Sequence, residues 1–170
     1  MPEPEKEAME RAQEDAREGK SPSTQAGEFV QEEMHHIREG THGARSAKQA
    51  IAIGLSEARR AGVKLPAPKK GKASPQVRRK AERDLQKGES SRGRKPSSGR
   101  RSRARRAALK REGHRAATQQ SLSRQARQSA RKRGATARHE AAVKAVRTKG
   151  KAGLRKAAKK AARTRARHSR

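Results

Sequence analysis

The sequence predicts a mainly α-helical protein with a short helical hairpin, a largely disordered or conditionally helical tail, and no β-sheet. Residues 45–62 have a capped start, an amphipathic middle and a marked stop, as a folded helix needs. Only 29% of the chain is apolar, too little to offset roughly 1 to 2 kcal/mol of backbone entropy per residue throughout. We expect three parts: an acidic arm and linker at 1–27, a small helical module at 28–66, and a Lys/Arg/Ala-rich low-complexity tail at 67–170, called the basic tail below.

The N-terminal arm consists mostly of good helix formers between residues 3 and 18. Glu7 and Arg11 are four residues apart and attract one another on a helix. The predicted helix is polar nearly all round, which favours a solvated acidic arm; an arm that folds back on the basic tail is the alternative. Lys20–Ala26 is predicted to be a linker because it contains Ser and Pro.

The next predicted helix covers Glu28 to Glu39. Val30, Met34 and Ile37 recur at helical spacing and give it one apolar side. Gly40 is its predicted C-cap, because glycine readily adopts the left-handed conformation that ends a helix.

The third predicted helix lies within 45–62. Ser46 can cap its first turn, with Gln49 completing a capping box three residues later. Gly62 can end it in the left-handed conformation. Its apolar stripe consists of Ala47, Ala50, Ile51, Gly54, Leu55, Ala58 and Ala61.

These two helices can pair as an αα-hairpin, but helices of this length are marginal in water. We therefore expect the 28–66 module to need self-association, a partner or nucleic acid to become stable. Ile51, Leu55 and Ala58 are the candidate self-association residues, which makes a homo-oligomer through this module an expectation.

The charge of the chain is concentrated in its C-terminal part. Residues 1–40 carry 5 basic and 11 acidic side chains, whereas residues 69–170 carry 37 basic and 5 acidic side chains, a net charge of +32. Such a segment repels itself in water, and a polyanion relieves the repulsion. Dense Lys and Arg give sequence-independent phosphate binding that weakens with salt.

Duplex DNA is therefore the predicted partner. A protein that binds RNA or the ribosome is the alternative, since the same charge permits it. A peripheral binder of anionic membranes is disfavoured, because the basic tail has no Trp or Phe to insert. The candidate nucleic-acid-binding residues are Arg78, Arg79, Lys80, Arg92, Arg94, Lys95, Arg100, Arg101, Arg103, Arg105, Arg106, Arg124, Arg127, Arg131, Lys132, Arg133, Lys156, Lys159, Lys160, Arg163, Arg165 and Arg167.

Enzymatic chemistry is not expected. Most carboxylates lie in the acidic arm, and the chain has no Gly-rich phosphate loop, GxGxxG or GxSxG motif. No catalytic residue, cofactor or small-molecule substrate is predicted. Because no apolar run approaches the roughly 20 residues of a membrane span and Cys is absent, we expect a cytoplasmic protein associated with the nucleoid.

No metal site is predicted either. His35, His36 and His42 are the nearest thing to a ligand cluster. Adjacent histidines on a helix point about 100 degrees apart, and the chain has no Cys to complete a tetrahedral set. The histidines are instead interpreted as partly exposed residues at a helix end.

The segment from Val30 to Lys64 contains a distinctive motif. It combines a Met-His helix, a Gly-rich joint and a second helix with the pattern KQAIAI-LSEAR-AG, at Met34, His35, Gly40, Ser46, Lys48 to Ile53, Leu55 to Arg59 and Gly62. It resembles a small uncharacterised bacterial and phage family described as DNA-binding or plasmid-stabilisation proteins. The resemblance implies a DNA-related function, and it covers about a fifth of the chain.

A weak repeat ends the basic tail. AAVKAVRTK at 141–149 recurs as AAKKAARTR at 157–165, identical at six of nine positions with an offset of sixteen. The Ala, Lys and Arg composition with intervening glycines resembles the tails of linker-histone-like proteins. This resemblance implies a tail that becomes helical when phosphate neutralises its charge.

Overall fold

The computed structural model describes residues 3–90 and 99–168, and within them it is helical with no β-sheet. The predicted mainly α fold is confirmed in that part of the chain. Apart from the helices, Lys70 and Ala73 form one isolated β-bridge. The helices are α1 Glu3–Arg17, α2 Pro22–Arg38, α3 Ala47–Arg60, α4 Pro75–Glu89, α5 Gly99–Lys110, a 3₁₀ turn His114–Ala117 and α6 Gln119–His168.

The chain divides into two compact units between Gln125 and Ala126. The part before this boundary is called the N-terminal unit and the part after it the C-terminal unit. The N-terminal unit has two clusters of buried apolar side chains, and each unit is described by itself below.

The first cluster joins α1, α2 and α3. Ala8 and Ala12 of α1 lie against Phe29 of α2, and Ala58 of α3 completes the cluster. Alanine has a short side chain, so α1 and α2 can approach closely, and Met9 of α1 is partly buried against the same cluster. The acidic arm is therefore not simply solvated, because its alanine face packs on α2.

The predicted linker is corrected at its C-terminal end. Helix α2 starts at Pro22, six residues before the predicted start at Glu28, and Ser21 occupies the N-cap position. Proline is well suited to the first helical position, where its missing N–H costs nothing. The boundary between residues 27 and 28 consequently falls inside a helix, and Ala26 belongs to the buried cluster.

The second cluster lies under the other end of α2 and α3. It contains Met34, Ile37 and Ala50 together with Ala116 and Ala117 of the 3₁₀ turn. The Nε of Arg38 also donates a hydrogen bond of 3.1 Å to the carbonyl oxygen of Ala117. A short segment of the basic tail thus contributes to the core of the N-terminal unit, although the whole tail was predicted to be low in complexity.

Helices α2 and α3 form the expected hairpin, and Gly54 sets their separation. A Cβ atom at Gly54 would lie 2.7 Å from the Cα of Val30 and 2.9 Å from the carbonyl oxygen of Phe29. Such contacts require the two backbones to move apart, so glycine is needed for this close approach. The Ser46 cap forms as predicted, since its hydroxyl accepts a hydrogen bond from the backbone N–H of Gln49. The Gln49 side chain accepts from the N–H of Arg45, one residue before the donor that the predicted capping box uses.

Arg59 at the end of α3 is buried, although it does not belong to the apolar stripe of the helix. Its guanidinium donates to the carbonyl oxygens of Leu55, Leu65 and Pro66 at 3.1 to 3.3 Å. Burial lowers the pKa of Arg59, and nearby Asp84 of α4 opposes this shift. The side chain therefore satisfies the open end of α3 and fixes the following loop.

Helix α6 is interrupted twice, at Gly134 (φ 78°, ψ 169°) and Gly150 (φ 63°, ψ 171°). Backbone in this region is essentially restricted to glycine. The interruptions divide α6 into helical segments at 119–133, 135–149 and 151–168, which are called the three tail segments. The two glycines are sixteen residues apart, the same offset as the sequence repeat.

Candidate nucleic-acid interface

Most of the predicted phosphate-binding side chains are exposed. In helices α4, α5 and α6 these exposed residues are Arg79, Lys80, Arg103, Arg105, Arg106, Arg124, Arg127, Arg131, Lys132, Arg133, Lys156, Lys159, Lys160, Arg163 and Arg165. Arg92, Arg94 and Lys95 lie outside the described residues. Arg100, Arg101 and Arg167 lie in helices, but their side chains are outside the described part.

Arg78 differs from the other candidates because it is half-buried. Its Nε atom lies 3.4 Å from Oε1 of Glu82, one turn further along α4. Part of its charge is therefore neutralised within the helix, and we expect it to contribute less to phosphate binding than its neighbour Arg79.

The three tail segments together carry more basic side chains than any other helix of the described chain. Residues 119–168 contain 17 Lys and Arg side chains and a single acidic residue, Glu140. Like charges three or four residues apart on a helix destabilise it by a few tenths of a kcal/mol per pair. Lys156, Lys159, Lys160 and Arg163 have this spacing. Phosphate groups placed along the helix would remove the repulsion.

The acidic side chains of α1 and α2 are connected through Arg11. Its Nε donates to Glu28 at 3.0 Å and its Nη2 donates to Glu32 at 2.8 Å. Burial by itself lowers the pKa of Arg11, but the hydrogen bonds to Glu32 and Glu28 outweigh this effect and the net pKa is raised. Carboxylates of α2 are thus neutralised within the N-terminal unit.

The candidate self-association residues lie in the hairpin rather than on a free surface. Ala58 is completely buried in the first cluster and is unavailable to a second copy of the chain, which corrects its predicted role. Leu55 and Ile51 are half-buried, each against one of the two clusters. Self-association through Ile51 and Leu55 remains a prediction.

A compact group of ionisable side chains lies where α2 ends. Glu33 and His36 are three residues apart and share a face of α2. Gly40 then reverses the chain at φ 79°, with the Thr41 N–H bonded to the carbonyl oxygen of His36 and the Gly40 N–H to that of Ile37. This is a Schellman cap. It brings His42 back over α2, and we call Glu33, His36 and His42 the Glu33 cluster.

A buried carboxylate dominates the electrostatics of the Glu33 cluster. The Glu33 side chain is 1% exposed, and its Oε2 lies 3.5 Å from Nε2 of His42. Its Oε1 atom has no hydrogen-bond partner among the described residues. Burial, and then the charge of Glu57, raises the pKa of Glu33 to about 8. The rings of His36 and His42 meet edge to face, with centroids 5.9 Å apart.

The sequence analysis named His35, His36 and His42 as the nearest candidates for a ligand cluster, and only two of these belong to the Glu33 cluster. It compared the three histidines with one another and did not set apart His35, which is exposed and lies outside the cluster. It missed Glu33, one turn before His36, and the reversal of the chain at Gly40. The detectable signals were the Glu-x-x-His spacing and a histidine two residues after a predicted helix cap.

Comparisons with known proteins bear on the hairpin only. Residues 20–71 match a family of unknown function (DUF6496). This range includes α2, α3 and the whole Glu33 cluster, but none of the tail segments. No curated protein and no solved structure matches the chain. Among the described residues, no helix has the length and apolar character needed to cross a membrane.

Proposed function

We propose that this is a non-specific DNA-binding protein of the nucleoid-associated or plasmid-stabilisation type, acting in the cytoplasm by neutralising phosphate groups. The observation that carries the proposal is the charge of residues 69–170, with 37 basic against 5 acidic side chains. The exposure of these basic side chains on helices α4, α5 and α6 supports it.

The tail segments have a size suited to this role. A helix of 15 residues is about 22 Å long, and duplex DNA carries one phosphate charge per about 1.7 Å of its axis. The segments contain 5, 4 and 8 basic residues in chain order. A segment of this length therefore lies along more phosphates than it has basic residues, so the number of phosphates does not limit how many counterions it can displace.

The described part of the basic tail offers groups that bind phosphate but no base-stacking platform. The chain has one aromatic residue of the Phe, Tyr and Trp class, Phe29, and this residue is buried between α1, α2 and α3. Recognition of single strands depends largely on stacking of bases on aromatic side chains. A duplex is therefore the preferred target.

A matched pair of four-residue variants tests the proposal. In the tail variant Lys156, Lys159, Lys160 and Arg163 are changed to Gln; in the control variant Lys6, Arg17, Lys48 and Lys64, all exposed in the N-terminal unit, are changed to Gln. Both lose the same charge. Affinity for a duplex of mixed sequence is measured as a function of salt concentration.

We expect the tail variant to have a shallower salt dependence, by about 0.9 in the logarithmic slope for each phosphate group that it no longer neutralises. The control variant should keep the slope of the unmodified chain. Equal changes in both variants, or an affinity that does not depend on salt, would contradict the proposal.

A competition experiment then determines which polyanion the chain prefers. The full chain is bound to labelled duplex DNA, and unlabelled duplex DNA, structured RNA or anionic vesicles are added at equal phosphate concentration. Displacement by duplex DNA at the lowest concentration supports the proposal. More effective displacement by RNA favours an RNA or ribosome-associated protein, and more effective displacement by vesicles favours a membrane-surface role.

A further inference from the structure

The Glu33 cluster contains the donor atoms of a common metal site. Two imidazoles and one carboxylate are the ligand set found in His₂Glu zinc sites, where a fourth position holds water or another ligand. The set suits zinc and other first-row transition ions better than Mg²⁺ or Ca²⁺, which prefer oxygen ligands alone. Because the chain contains no Cys, thiolates do not compete for the ion.

Distances within the cluster are close to those of a bound site. One ligand atom from each of the three side chains lies within 4.8 Å of the others. Tetrahedral zinc with bonds of about 2.0 to 2.1 Å separates its ligand atoms by about 3.4 Å. Small rotations of His36 and His42, each 18% exposed, would close this gap. His42 lies in the loop between α2 and α3, where such movement is easiest.

A separate observation concerns the buried carboxylate. Glu33 is 1% exposed, and its Oε1 has no hydrogen-bond partner among the described residues. A buried acceptor left unpaired is unfavourable, and both burial and the charge of Glu57 disfavour the ionised form of Glu33. A cation coordinated by Glu33 would supply the missing partner and offset both carboxylates.

A neighbouring carbonyl group also orients the imidazole of His42 for coordination. The Nδ1 of His42 lies 3.3 Å from the carbonyl oxygen of Gly43. In the tautomer that donates this hydrogen bond, Nε2 keeps its lone pair and lies on the side of Glu33. Metal-bound histidines commonly donate their second N–H to a carbonyl or carboxylate in this way. Glu32, held by Arg11, has its Oε1 3.6 Å from Nε2 of His36.

We propose that Glu33, His36 and His42 bind one divalent transition-metal ion, with Zn²⁺ as the best match to their chemistry. The ion would connect α2 to the loop that leads into α3. It would thereby fix the turn of the hairpin, and its fourth coordination position would stay open to water. This site does not depend on DNA binding and contains none of the predicted phosphate-binding residues.

The experiment titrates Zn²⁺ alone into the full chain, freed of metal with a chelator, and follows the heat of binding. Glu33→Gln, His36→Asn and His42→Asn are compared with His35→Asn. The last variant is a matched control, because His35 is an exposed histidine adjacent to His36. Circular dichroism without metal establishes that each variant is folded. His42 lies outside the helices, so His42→Asn is the substitution least able to disturb them.

We expect one Zn²⁺ per chain in the unmodified protein and in His35→Asn. Each of the other three variants should lose at least about tenfold in affinity. Zn²⁺ should also raise the melting temperature of the unmodified chain and of His35→Asn, and should raise that of folded His42→Asn by a smaller amount at the same Zn²⁺ concentration. Co²⁺ bound at the site should give the visible absorption of a four-coordinate ion.

Three results would overturn the assignment. One is the absence of Zn²⁺ binding by the unmodified chain. Another is an equal loss of affinity in His35→Asn and His42→Asn, which indicates weak binding to surface histidines. The third is equally tight binding of Mg²⁺, since an ion that avoids imidazole would then be held by carboxylates alone.

Discussion

The N-terminal and C-terminal units are both helical, but different forces stabilise their helices. Helix α2 has Ile37 fully buried, whereas Val143 and Val146 of the second tail segment are 51% and 46% exposed. The N-terminal unit joins its helices through two apolar clusters, and the described C-terminal unit has almost every side chain in contact with solvent. Helicity in the first unit therefore depends on burial, and in the second on alanine content, which the repulsion between like charges opposes.

The largest expected effect of a single substitution comes from the core of the N-terminal unit. Ile37→Ala removes a side chain with no exposed surface and leaves a cavity, which should lower the free energy of unfolding by about 2 to 5 kcal/mol. Val143→Ala is the control in the C-terminal unit and should change stability by less than about 0.5 kcal/mol. Chemical denaturation followed by circular dichroism measures both, and equal effects would break the comparison between the units.

Gly54→Ala should have the next largest effect. The added methyl group would contact the backbone of Val30 at 2.7 Å. Because backbone cannot rotate away, α2 and α3 must separate, at a cost of about 1 to 3 kcal/mol. Thermal unfolding of Gly54→Ala should show a lower midpoint than the unmodified chain. An unchanged midpoint would mean that the two helices pack less closely than the structure indicates.

Replacing glycine by alanine in the C-terminal unit is expected to stabilise helical structure, in contrast to Gly54→Ala. A Cβ atom at Gly134 or Gly150 would meet no other atom within 4 Å. Alanine cannot easily adopt their backbone conformation, so the helix should continue through both positions, and each change should favour helix by about 1 kcal/mol.

Circular dichroism of the Gly134→Ala and Gly150→Ala double variant, with and without duplex DNA, tests this expectation. Mean helix content should rise above that of the unmodified chain in both conditions. Lower helix content in the double variant would show that the interruptions stabilise the flanking segments instead of separating them.

The smallest expected effect concerns the ion pairs of Arg11. Its partners Glu28 and Glu32 are partly exposed, so each pair contributes under about 1 kcal/mol. Arg11→Gln should lower stability slightly, and the difference should shrink as salt is added. Arg17→Gln, at an exposed position of the same helix, is the control. A reduction larger than that of Ile37→Ala would mean that charge and not apolar burial holds α1 in place.

Local signals in the sequence were sufficient for the ends of α3 and for the stop of α2. Ser46, Gln49 and Gly40 act through hydrogen bonds to residues within five positions along the chain. The start of α2 was missed because a Ser-Pro pair is found both in linkers and at a helix N-terminus. In this chain the Ser-Pro pair starts a helix because Ala26 and Phe29, four and seven residues after Pro22, are buried.

What the sequence determines by itself is the helical class, the caps of the hairpin and the charge that makes a polyanion the expected partner. The helical class and the caps follow from residues that are neighbours along the chain, and the charge follows from the amino-acid composition. The tertiary structure alone decides which alanines form a core, why Gly54 is glycine, why Arg59 is buried and how His42 reaches Glu33. Each of these depends on side chains from different helices meeting in space, which spacing along one helix cannot reveal.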